Sequence, residues 1–104
     1  MREFADQVRS AFAADDIVLY GSRAKGDHRK ESNANVAVVL RGLEASEETD
    51  ILLALSDVAY DVMLRHNIRI SPMPIAIERW KTRDQQKDCR FLADIAEYGI
   101  RFSN

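Results

Sequence analysis

"GSRAKGDHRKESNANVAVVL", residues 21–40, is the stretch on which the reading of this 104-residue chain turns. Its last five residues, 36–40, are apolar and mostly β-branched, the composition of a buried strand. Two asparagines, Asn33 and Asn35, stand one residue apart at the head of that strand. In an extended chain the side chains of residues i and i+2 share a face, so these two carboxamides lie side by side while Ala34 and Val36 face the other way. Paired amides at the mouth of an apolar strand call for a chemical explanation.

The start of the same stretch supplies half of one. The run "DDIVLY" ends in Gly21, and Ser22 follows at the entrance to a short polar segment, residues 22–30, that reads as one or two helical turns and a loop. A residue without a Cβ, a hydroxyl and unpaired backbone N–H groups at one helix start make a cradle for a phosphate. Arg23 and Lys25, with His28, Arg29 and Lys30 beyond them, add positive charge to that loop. A bare Gly-Ser turn is common at strand ends and carries little weight alone.

Outward from this stretch, Phe4, Val8 and Phe12 recur every four residues and predict an amphipathic helix over residues 2–12. Residues 17–20 form a first strand and residues 35–40 a second, closed by Arg41 and Gly42. Ser46 is placed as an N-cap with Glu47 and Glu48 in the first turn, where carboxylates suit the helix dipole. Ile51, Leu52, Leu55, Val58, Ala59, Val62 and Met63 keep helical spacing and carry that helix to about Arg65, with His66 set against its terminal carbonyls. A third strand covers residues 68–71 and stops at Pro72, and Pro74 leaves room only for a short or edge continuation over residues 75–77. The segment "KTRDQQKD" is a polar connector, and Phe91, Leu92 and Ile95 mark a last helix that Gly99 ends. This order describes an α/β (α+β) chain, a small mixed β-sheet with helices packed on it, in one domain over residues 1–104.

The charges nearly cancel at a net of −2, so no global field favours direct nucleic-acid binding. One cysteine, Cys89, has no partner for an intramolecular disulfide. With no leader at the start and no apolar span near ~20 residues, the expectation is a soluble cytoplasmic protein without a membrane partner.

Spacing binds the two halves of the opening stretch together. Ten residues separate Gly21-Ser22 from Asn33, and one more separates Asn33 from Asn35. With aspartates at those two places the stretch resembles the signature of the nucleotidyltransferase superfamily that includes DNA polymerase β. Its small prokaryotic branch, the minimal nucleotidyltransferases, has a pattern close to G-S-x-A-x-G, a loop, then S-D-x-D and an apolar strand. The matching residues are Gly21, Ser22, Ala24, Gly26, Ser32, Asn33 and Asn35. The ending "FLADIAEYGIRF" is similar to that branch's closing helix and tail.

The resemblance implies a nucleotide site at Gly21, Ser22, Arg23, Lys25 and Ser32, with Asn33 and Asn35 standing where the family's metal-binding, catalytic aspartates belong. In the family those carboxylates hold Mg²⁺ against the nucleoside triphosphate. An asparagine keeps the shape and one carbonyl oxygen but not the charge, so Mg²⁺ and ATP are expected to bind weakly and catalysis largely to fail. The family's third acid falls on the strand "NIRIS", where the candidate positions are Arg69 and Ser71, neither an acid. Asp57 and Asp61 read as a solvated helix face, and Asp27 and Glu31 as loop charges near the site. Asp-to-Asn is both the isosteric exchange that silences such a site by design and a step in natural decay toward a binding-only protein.

Larger relatives carry a separate substrate domain, and at this length none is expected here. The resemblance then implies an acceptor on a second molecule, a HEPN-type ribonuclease toxin whose tyrosine would receive AMP from ATP, with this chain as its antitoxin. The alternative is a non-catalytic interaction module that neutralises a partner by binding. Trp80, Tyr98, Ile100 and Phe102 are its candidate contacts, against the simpler reading that Trp80 caps the core and the tail packs on the sheet.

Overall fold

The structure, a computed structural model, describes residues 2–21 and 34–102. Helix α1 (Arg2–Ala11) leads into strand β1 (Ala14–Tyr20), and β2 (Ala34–Leu40) follows. A 3₁₀ turn (Ala45–Glu47) opens onto the long helix α2 (Glu48–His66). Then come β3 (Ile70–Ala76), α3 (Ile77–Lys81), a second 3₁₀ turn (Arg83–Gln85), α4 (Cys89–Tyr98) and the two-residue strand β4 (Ile100–Arg101). The strands form one mixed sheet in the order β3-β2-β1-β4. β1 runs antiparallel to β2 and to β4, and β2 runs parallel to β3.

The apolar run of β2 reflects cover on both of its faces, as a central strand requires. Ala34, Val36, Val38 and Leu40 join Ile17 and Leu19 under α1 and α2, where Phe4, Val8, Leu55, Ala59 and Val62 close the first core layer. Ala37 and Val39 point the other way, with Val18 and Ile75, against Trp80, Leu92 and Ile95 from the α3–α4 side. Each fully buried Val, Leu or Ile contributes about 1.5–3 kcal/mol relative to exposure, so the second layer is an energetic necessity for the C-terminal segment. Trp80 is a core residue, with the Arg83 guanidinium 4.8 Å from its ring centroid. Phe102 packs on the first layer and its N–H donates to the Ile17 carbonyl, whereas Tyr98 and Ile100 are exposed.

Several boundaries differ from those read in the sequence, each for a physical reason. β3 does not stop at Pro72; it runs from Ile70 to Ala76 through both prolines. It is an edge strand, and the Arg69 carbonyl accepts from the Ala34 N–H, which sets its phase. Residues 71, 73 and 75 then turn their backbone groups toward β2, and the missing N–H groups of Pro72 and Pro74 fall on the open edge, where nothing is lost.

Ser46 lies within the 3₁₀ turn and does not cap α2, whose first helical residue is Glu48. The helix ends at Asn67, a left-handed residue with φ 55° whose N–H reaches the Met63 carbonyl. His66 pairs with Glu3 of α1 instead of with the helix's own carbonyls. Asp61 is bound at 2.5 Å to Arg65 on an exposed helix face.

The tail adds a strand that periodicity did not announce: Ile100 and Arg101 pair with Leu19 and Val18 of β1. Gly99 permits this turn by contact, not by unusual dihedrals, because a Cβ there would collide with the Val18 side chain and the Ile95 carbonyl.

Candidate functional site

Three strand ends meet at one end of the sheet: the last residues of β1 and the first of β2 and β3. Register places Tyr20 opposite Asn35, and Asn35 opposite Ser71. Cα partners on neighbouring strands lie about 5 Å apart and share a face. Tyr20, Asn35 and Ser71 therefore form a polar row across three strands, on the face that deeper in the sheet carries Val18, Ala37 and Ile75. Asn35 is the one polar residue in β2, and it is half-buried at the strand mouth.

Gly21 turns the chain out of β1 with φ +83°, in the left-handed region that favours glycine. A Cβ placed on it would lie 3.0 Å from Nδ2 of Asn35, so the chain leaves β1 directly over that carboxamide. The sequence-derived pairing of the Gly-Ser turn with the asparagine strand is thus met by Gly21 and Asn35. Ser22, Arg23, Lys25, Ser32 and Asn33 lie outside the described residues, as do Asp27, His28 and Glu31 and the helical turns expected over residues 22–30.

An aromatic pair borders the row, and residue spacing had not revealed it. The Tyr20 ring meets Phe91 of α4 edge to face, with centroids 5.7 Å apart and planes at 84°. The Tyr20 hydroxyl donates weakly to Sδ of Met73 at 3.9 Å. Burial holds the Tyr20 hydroxyl above its ordinary pKa of 10.0, so it stays a neutral donor. Residue spacing marks α4 as a helix without placing it at the site, and the tertiary fold brings its first turn there.

The chemistry of the described donors decides what they can hold. The Asn35 carboxamide, the Ser71 hydroxyl and the Tyr20 hydroxyl are all neutral, and Ser71 occupies the register position beside Asn35 where a third acid was sought. Among the described residues no group of three His, Cys, Asp or Glu side chains is placed to hold a metal ion. Mg²⁺ takes charged oxygen ligands, usually one or two carboxylates with phosphates and water. This donor set does not fit it. The row suits hydrogen bonding to an uncharged or anionic ligand.

Among the described residues no helix is long and apolar enough to cross a membrane. No curated protein matches the chain. A crystal structure of a Sulfolobus solfataricus protein described as a nucleotidyltransferase superposes with a TM-score of 0.64, covering 97% of this chain and 74% of that one, and at 18% identity the likeness is one of fold. The model of the nucleotidyltransferase domain family matches residues 1–93, which takes in the Gly21 turn, the asparagine strand, all of β3 and α3, and the start of α4. The chain belongs to the nucleotidyltransferase domain family.

Proposed function

We propose that this protein is a nucleotidyltransferase-fold antitoxin, built on the frame of an enzyme that transfers AMP from ATP to a tyrosine of a HEPN-type ribonuclease toxin, and that its own transfer is impaired. The observation that carries this reading is the neutral row at the sheet end, with Asn35 against Gly21 and beside Ser71. Transfer forms a bond from the tyrosine oxygen to the α-phosphorus, breaks the bond to pyrophosphate and releases the phenolic proton. A carboxamide cannot take that proton, and the Ser71 hydroxyl is too weak a base to do so. With Asn33 as well as Asn35 in place of an acid, two negative charges are missing from the site.

The same donor set favours a second reading, a non-catalytic module that neutralises its partner by binding. One experiment separates the two. The chain is purified with the product of its neighbouring gene, incubated with ATP and Mg²⁺, and the partner is weighed by mass spectrometry. An AMP adduct on a partner tyrosine, made only after Asn33→Asp and Asn35→Asp, supports the impaired transferase. Partner inhibition without an adduct in either form supports the binding module.

A further inference from the structure

Phe91 is a large apolar side chain that the core does not need. Leu92 and Ile95 of α4 are buried against the sheet, while Phe91, one position earlier, is 42% exposed. Its ring is held at the rim by Tyr20, which stands opposite Asn35 and directly before Gly21. Phe91 is therefore one side chain removed from the polar row. A part-exposed aromatic ring, held in a T-shaped contact by a second ring, can serve as a stacking platform for a planar heteroaromatic ring.

We propose that Phe91, braced by Tyr20, stacks the base of a nucleotide whose phosphates lie at the Gly21 turn. This rests on the reading of that sheet end as a nucleotide site. A base held by its face is selected by the area of its π-system, not by its hydrogen-bonding edge. The site accordingly prefers purine nucleotides to pyrimidine ones and separates adenine from guanine only weakly. In a site whose described donors offer Mg²⁺ no charged ligand, the stacked base supplies a large share of the affinity.

The test compares ATP, CTP and inorganic tripolyphosphate, which carries phosphates and no base, by calorimetry on the intact chain and on Phe91→Leu, Phe91→Ala and Phe91→Trp. The expected result is a loss of about tenfold in ATP affinity for Phe91→Leu and Phe91→Ala, tripolyphosphate affinity unchanged, and ATP affinity kept or raised in Phe91→Trp. CTP binds more weakly than ATP to the parent chain and loses less on substitution. Phe91→Leu keeps an apolar side chain on Tyr20 and Phe91→Trp keeps the ring, so a fold defect in Phe91→Ala leaves the comparison intact. Equal losses for ATP and tripolyphosphate, or no loss for ATP, overturn the stacking role while leaving the phosphate site standing. Failure of the parent chain to bind either ligand overturns the nucleotide site itself, and the stacking role with it.

Discussion

Gly21 and Asn35 are in contact range across the end of the sheet: any Cβ on Gly21 would come within 3.0 Å of the Asn35 carboxamide nitrogen. The φ of +83° requires the glycine, and the flexible end of the Asn35 side chain lies close over it. Gly21→Ala is expected to cost about 1–2 kcal/mol from the left-handed backbone, with the flexible end of Asn35 giving way at little added cost. Urea unfolding of the variant measures it, and an unchanged midpoint would contradict the turn described here.

Returning both acids tests the chemistry of the row. Asn33→Asp with Asn35→Asp places two carboxylates on one strand face, where they repel one another without a metal and lower stability slightly. Added Mg²⁺ should then raise the melting temperature of this variant, while the parent chain barely responds. Each single change should do much less than the pair, since paired ligands act as a unit. Melting curves with and without Mg²⁺ decide the matter, and a flat response of the double variant would remove the metal-site reading.

The register adds a third position to that experiment. Ser71 lies opposite Asn35 on the parallel strand β3, whereas Arg69, the other candidate read from the sequence, is exposed one step before the strand begins. Ser71→Asp, made on top of the double restoration, should raise the rate of AMP transfer to a partner by up to ~10²- to 10⁴-fold, the usual range for a positioned general base. Arg69→Asp in the same background should do little. Single-turnover mass spectrometry of the partner compares the two, and the reverse ranking would place the third acid elsewhere.

Tyr20 predicts an alkaline limit to stability. Its folded-state pKa is raised above 10.0 by burial, so the folded form holds the phenolic proton more tightly than the unfolded chain. The contribution is fully present below the ordinary value and is lost as pH rises from there through the raised folded value. Tyr20→Phe should abolish this part of the loss, so the stability gap between the two proteins should shift between pH 8 and pH ~11. Urea midpoints across that range measure it, and parallel curves would show Tyr20 to be free to ionise.

Much of the fold was legible because local patterns and burial agree. The four-residue stripe of α1, the long stripe of α2 and the β-branched run of β2 each report which side chains must leave water, and the structure buries Phe4, Val8, Leu55, Val62 and Val38 as those periods require. The reading failed where a neighbour overrides local preference. Pro72 looked like the end of a strand, with room past Pro74 only for a short or edge continuation; both lie inside one edge strand, because the side that lacks their N–H groups faces the open edge. β4 has two residues and no period of its own; the unpaired backbone of β1 recruits it.

The candidate site divides in the same way. The sequence by itself determined the chemical identity of the motif, since Gly21-Ser22, the ten-residue interval and the Asn33, Asn35 pair are facts of order and spacing along one chain. Only the tertiary structure decided which distant residues stand beside that motif: Ser71 across β2 and β3, and Tyr20 carrying Phe91 from an α4 that begins 89 residues into the chain. The physical reason is that residue order sets side-chain periodicity within a segment, whereas strand register and helix docking are fixed by which apolar surfaces cover one another.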